Sequence, residues 1–141
     1  MKLITQIAEM HEFVDACRTK KETVGLVPTM GFLHRGHISL MERAIRENDK
    51  TIVTIFVNPL QFAEGEDLSS YPRDLEQDTS QCEATGVDLL FTPSPEEMYS
   101  QPIFTAVHID SMTSNMEGAS RPTHFSGVAT VVAKLFNIAG P

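Results

Sequence analysis

Two histidines, His34 and His37, stand three residues apart in the stretch VPTMGFLHRGHISLMERA, with Gly36 between them and Gly31 just before. That spacing is close to one helical turn, so the two imidazoles share a helix face. An imidazole, with an ordinary pKa of about 6.5, can donate, accept or carry charge near neutrality. The surrounding residues suit an anion. Gly31 permits a turn that other residues resist, and Gly36 removes a Cβ where backbone must approach a ligand. A helix start near Gly36 to Ile38 directs unsatisfied N–H groups and the positive end of the macrodipole outward. Beside phosphate oxygens both rings are expected to gain basicity and to favour the doubly donating cation. Simple capping of a helix is the competing role. Pro28, the two glycines and the position behind an apolar run favour the anion site. The pattern is neither G-x-x-x-x-G-K-[ST] nor G-x-G-x-x-G, so the usual phosphate-loop readings do not apply. H-x-x-H without further ligands nearby is no zinc site, and the expected metal ligands are none.

A second group of candidates lies in FVNPLQF, where Asn58 and Gln61 are uncharged hydrogen-bonders among Phe56, Leu60 and Phe62. Amides in an apolar wall suit a small substrate bearing hydroxyl and methyl groups, and equally suit the capping of a loop. In EGASRPTHFSGVA, Arg121 and His124 precede a helix and repeat the first design in weaker form, as a second anion site or an ordinary helix entry. Tyr71, Arg73 and Glu117 are further polar candidates with a surface-loop alternative. Asn58, Tyr71, Arg121 and His124 are accordingly taken as candidate substrate contacts.

These residues need elements to position them. Ile7, Met10, Val14 and Cys17 mark one face of a helix over about 6–19, with Lys20 and Lys21 at its negative end. TVGLVP reads as a buried strand stopped by Pro28, and a helix follows from about Gly36 with Ile38, Met41 and Ile45 inward. TIVTIFV, 51–57, is β-branched and apolar as a strand covered on both faces must be. AEGEDLSSYPRD is a polar loop, then a helix over 74–85 ends at Gly86. VDLLFTPSP supplies a third strand, TAVHID (105–110) a weaker fourth, and a last helix begins near Ser126. Strands alternating with helices predict an α/β fold, a doubly wound, mostly parallel sheet with helices on both faces. Ligands of such sheets bind beyond the carboxyl ends of the strands, where PTMGFLHRGH, NPLQF and PSPEEMY all fall.

Composition limits the partners. The 141 residues are 41% hydrophobic and 21% charged, ordinary for a folded chain, and fit one domain. A formal charge of −8 argues against nucleic acid, whose backbone is bound by clustered Lys and Arg. No window approaches a membrane span or a signal peptide, and Cys17 and Cys82 read as buried apolar residues, so a cytoplasmic setting is expected.

The stretches VPTMGFLHRGHISLM, TIVTIFVNPLQF, EDLSSYPRDLEQD, GVDLLFTPSPEEMY and RPTHFSGVATVVAKLFN together resemble the pantothenate synthetase (pantoate–β-alanine ligase) family, in the family's order over nearly the whole chain. H-x-G-H is shared with many nucleotidylyltransferases and class I aminoacyl-tRNA synthetases, whereas P-T-M-G, N-P-L-Q-F and H-F-x-G-V are more specific. The resemblance implies a Rossmann-like fold of the H-x-G-H nucleotidylyltransferase type and a two-step ligation. Pantoate attacks the α-phosphorus of ATP, supplied with Mg2+, to give pantoyl adenylate and pyrophosphate. β-Alanine then displaces AMP to give pantothenate. It further implies that Met30, Gly31, Phe32, Leu33, His34, Arg35, Gly36 and His37 bind ATP. His37 takes the acid/base or phosphate-stabilising role, and Gln61 binds pantoate beside β-alanine. A homodimer is implied as well. The family continues past the position of Pro141 into a further lysine, aspartate and glutamine and a second domain. Residues 1–141 are therefore expected to form the nucleotide-binding N-terminal domain, the C-terminal domain being absent, with weak or no activity alone. Another H-x-G-H nucleotidyltransferase and a non-catalytic nucleotide-binding module are the alternatives.

Overall fold

The computed structural model describes residues 1–62, 68–111, 113, 115 and 117–141. Residues 63–67 of the expected polar loop, and the side chains of Ser69 and Glu117, lie outside what is described. The chain runs β1 (Lys2–Ile4), α1 (Ile7–Lys20), β2 (Val24–Thr29), α2 (Arg35–Glu47), β3 (Lys50–Ile55), α3 (Leu75–Thr85), β4 (Leu89–Phe91), α4 (Pro95–Met98), α5 (Glu117–Ser120) and α6 (His124–Ala139). Short 3₁₀ turns at Pro59–Gln61 and Leu68–Ser70 lie between β3 and α3. The strands form one sheet in the order β1-β4-β3-β2, and every described pairing is parallel.

The β-branched run of β3 is central and buried from Thr51 to Thr54, because both of its faces are covered. Ile52, Leu89 and Phe91 face one way and meet Met10 and Val14 of α1 and Val131, Leu135 and Ile138 of α6. Val53, Leu90 and Val27 face the other way and meet Met41 of α2 and Cys82 of α3. Helices therefore cover both faces, as the alternating pattern predicts. Each fully buried Leu or Ile in these layers contributes about 1.5–3 kcal/mol relative to exposure.

Two expectations need correction. Thr105 to Asp110 is not a strand. Its residues are exposed, and the Val107 N–H donates to Thr130 Oγ1 of α6 at 2.9 Å instead of to a neighbouring strand. The fourth strand is instead β1, which pairs with β4 from Lys2↔Leu89 to Ile4↔Phe91. Nor does Pro28 end its strand. It pairs opposite Thr54 within β2, at the sheet's edge, where a missing N–H costs no ladder bond.

Because all strands point the same way, the segments after β2, β3 and β4 gather at one edge. Met30, Gly31, Phe56, Val57, Thr92 and Pro93 from the three segments line a common cavity of about 340 Å³ there, closed by α3 at Leu75 and Asp78.

Candidate active site

The turn from β2 into α2 is built from short hydrogen bonds. Thr29 Oγ1 donates to the Thr54 carbonyl at 2.8 Å and accepts the Gly31 N–H at 3.1 Å, tying the end of β2 to β3. Gly31 (φ +86) and Phe32 (φ +53) then take left-handed conformations, costly for Phe32, which has a Cβ. The Phe32 and Leu33 N–H groups donate to Asp78 Oδ2 and Oδ1 at 2.8 and 2.7 Å. These two donors of the stretch expected to bind ATP are thus bonded to a carboxylate of the chain itself.

At the start of α2 the two histidines form a capping box. His34 is the N-cap, and its Nδ1 accepts the Gly36 N–H at 3.0 Å. His37 Nδ1 accepts the His34 N–H at 3.3 Å, and the ring centroids lie 4.0 Å apart. A ring nitrogen that accepts a peptide N–H carries no proton, so each neutral ring holds its proton on Nε2. Both imidazoles therefore have an Nε2–H donor left for a ligand. Burial first, and the neighbouring His34 second, push the His37 pKa below 6.5, while Asp78 pulls it the other way. Gly36 has a local purpose: a Cβ there would lie 2.8 Å from His34 Cε1, so only glycine lets the ring fold back as a cap. Arg35 is exposed, with an ion pair to Glu42 at 3.8 Å.

His37 lines a second cavity of about 240 Å³ together with Thr29, Met30, Gln61 and Tyr71, against apolar walls from Phe56 and the Val128, Val131 and Leu135 face of α6. Gln61 is held in place at both ends. Its backbone carbonyl accepts from Arg121 Nη2 and His124 Nδ1, each at 2.9 Å. The oxygen at the expected second anion site is thus this carbonyl. Its side-chain Oε1 accepts from Asn58 Nδ2 at 3.1 Å. Asn58 is fully buried. Its Nδ2 also donates to the Gly127 carbonyl at 3.2 Å, and its Oδ1 accepts from the Tyr99 hydroxyl at 2.8 Å and the Leu60 N–H at 3.3 Å. Asn58 thereby orients Gln61 and does not line the cavity. With Oε1 engaged, the Gln61 amide has its Nε2 donors for a ligand oxygen.

Tyr71 stacks edge-on against Phe62 and has its pKa raised by burial and by Asp78. Arg73 braces its own loop, donating to the Leu68 carbonyl at 2.9 Å. Among the described residues no group of three or more His, Cys, Asp or Glu could hold a metal. Cys82 is buried beside Asp78, its thiol pushed up to about 11 chiefly by burial.

Sequence reasoning missed Asp78, Tyr99 and Gly127. Gly127 had a signal, a lone glycine inside a helical pattern, which implies close packing. A Cβ there would collide with the Leu60 carbonyl.

The pantoate–β-alanine ligase family model matches residues 2–141. The chain belongs to that family. Pantothenate synthetase from Rhizobium johnstonii is 54% identical over 100% of this chain and 46% of the relative's length, and that from Allorhizobium ampelinum is 52% identical over 100% and 49%. The chain thus spans about half the length of the curated relatives it matches. The crystal structure of pantothenate synthetase from Thermus thermophilus superposes with a TM-score of 0.92 at 50% identity, covering 100% of this chain and 50% of that one. The ligase from Francisella tularensis, complexed with beta-gamma ATP and β-alanine, superposes with a TM-score of 0.94 at 42% identity, covering 100% and 54%. Against this family background, no described helix is long and apolar enough to cross a membrane.

Proposed function

We propose that this chain supplies the N-terminal, nucleotide-binding domain of a pantoate–β-alanine ligase, acting in the cytoplasm as a homodimer on pantoate, ATP and β-alanine. The observation that carries the reading is the capping box, which leaves Nε2–H donors on both His34 and His37, with His37 lining the same cavity as the oriented amide of Gln61. A cavity with apolar walls and few polar groups fits pantoate, whose methyl groups meet Phe56 and Val131 while a hydroxyl or carboxylate oxygen accepts from Gln61 Nε2.

In that reading ATP lies along the β2–α2 turn from Met30 to His37, with its Mg2+ as part of the substrate. The histidine donors stabilise charge that develops on the phosphates as the pantoate carboxylate attacks the α-phosphorus. Holding carboxylate and phosphorus together supplies much of the rate gain. The amine of β-alanine then attacks the pantoyl carbonyl beside Gln61 and AMP leaves. We propose that residues 1–141 hold pantoate in the cavity lined by His37 and Gln61.

The test is a pantoate titration of the 15N-labelled chain, with pantoate-dependent exchange of pyrophosphate into ATP measured in parallel. Saturable shifts of the Gln61 side-chain amide and the His37 ring are expected, and any exchange is expected to depend on pantoate. No shift at either group overturns the ligase reading, and so does an adenylylated product in place of AMP.

A further inference from the structure

We propose that Asp78 is the positioning residue of this site: its carboxylate fills the anion cradle formed by the Phe32 and Leu33 N–H groups and fixes the turn that delivers His34 and His37. The catalytic consequence rests on the ligase reading above, whereas the positioning itself rests on geometry.

Asp78 sits on α3, which is otherwise largely polar and exposed, yet is only 2% exposed itself. Both of its oxygens are used, Oδ2 by Phe32 N–H at 2.8 Å and Oδ1 by Leu33 N–H at 2.7 Å. Among the described residues no ion pair involves it. A buried carboxylate needs compensation, and here peptide dipoles supply it. Successive N–H groups in a turn with positive φ form a concave anion site, and this one is filled from within the chain.

The turn needs such a partner. Phe32 holds φ +53 although its side chain is 55% exposed, so side-chain packing does little to secure that backbone. Gly31 is matched to Asp78 as well, since a Cβ on it would lie 2.9 Å from Asp78 Oδ2. Glycine at 31 and aspartate at 78 thus act as one device, joining the β2–α2 turn to α3. With the cradle occupied, a ligand phosphate is left to the Nε2–H groups of the histidines that follow directly. Asp78 also acts on His37 through its charge, favouring the protonated ring.

The experiment compares the full chain with Asp78→Asn, which keeps the size but replaces one acceptor with a donor. In the native chain, hydrogen exchange at the Phe32 and Leu33 amides is expected to be slow. In Asp78→Asn, one of the Phe32 and Leu33 amides, whichever faces Nδ2, is expected to exchange at least about tenfold faster and the His37 titration midpoint to move down, while the far-UV spectrum is retained. Where exchange of pyrophosphate is measurable, in this chain or in a full-length relative with the matching substitution, kcat is expected to fall about 100-fold with little change in the KM for pantoate. Unprotected Phe32 and Leu33 amides in the native chain overturn the proposal. An Asn variant with unchanged protection at both Phe32 and Leu33 and an unchanged His37 midpoint does the same. Should the Asn variant not fold, the native amides decide. Should no ligase activity exist at all, the function fails but the amide and histidine measurements still decide the positioning role.

Discussion

His37 has two tasks that one substitution cannot separate. Its Nδ1 accepts the His34 N–H and closes the capping box, while the residue also lines the cavity with Gln61 and has Nε2–H as its remaining ring donor. His37→Ala should lose both, about 1 kcal/mol of stability through the cap and about 100- to 1000-fold in the rate of a full-length enzyme. His37→Gln separates them, because a glutamine at the third helical position can accept the N-cap N–H as a capping box does. Thermal melts should recover with Gln while the rate stays low. Recovery of the rate together with the stability in His37→Gln would mean that the ring serves the fold alone. The pH dependence has a definite sign. The folded His37 pKa lies below the ordinary 6.5, lowered by burial and His34 against the opposing pull of Asp78. Between the two values the unfolded chain binds more protons, so stability is full above about 6.5 and falls as pH drops through that window toward the folded pKa. Chemical denaturation across that range checks the sign, and His37→Gln should flatten this contribution.

At the level of elements, the site depends on how closely α6 approaches the 3₁₀ turn Pro59–Gln61. Gly127 makes that approach possible, and its carbonyl is one of the groups that hold Asn58 and, through Asn58, the Gln61 amide. Gly127→Ala must push the helix from the turn, because its Cβ would meet the Leu60 carbonyl. A loss of about 1–3 kcal/mol is expected from the overpacking, despite alanine's better helix propensity. Pantoate should bind more weakly in the same variant, as the Gln61 amide loses its fixed orientation; calorimetric titration against urea melts checks both effects. Such contacts explain what could be read in advance. The run 51–57 and the periodic faces at Ile7–Cys17 and Ile38–Ile45 are local patterns, and the sheet and its helices follow from them. His37 and Gln61 could be singled out because their types are rare and chemical and follow strands directly. Asp78 gave no such signal, since an aspartate in LEQDTSQ resembles a solvated helix residue until α3 packs against the β2–α2 turn. The two misassigned strands fail for related reasons: Lys2–Ile4 is too short to show alternation, and 105–110 alternates but has no strand beside it among the described residues.

At the scale of the whole chain, the described residues carry an exposed apolar strip. Ile103, Phe104, Val107 and Ile109 are 43%, 88%, 39% and 47% exposed, on a chain whose formal charge is −8. Clustered exposed apolar residues of this size mark interaction surfaces more often than solvent-facing loops. The segment is also anchored, with Val107 N–H on Thr130 Oγ1 and Ser126 Oγ near His108 Nδ1 at 3.1 Å, so it is held against α6. A second copy of the chain is the partner that the proposed homodimer requires, and a shared apolar strip also limits the charge repulsion between two acidic molecules. Phe104 is the residue with the most area to bury, and aspartate in its place adds both a desolvation cost and a like charge. Phe104→Asp is expected to weaken self-association by about 2 kcal/mol or more, roughly 30-fold in the dimer dissociation constant. Monomer stability should change by no more than about 0.5 kcal/mol, as for other surface substitutions. Sedimentation equilibrium measures the first effect and urea melts of dilute protein the second. A native chain that sediments as a monomer at high micromolar concentration, or a Phe104→Asp variant that dimerises as well as the native chain, would remove this strip as the dimer contact.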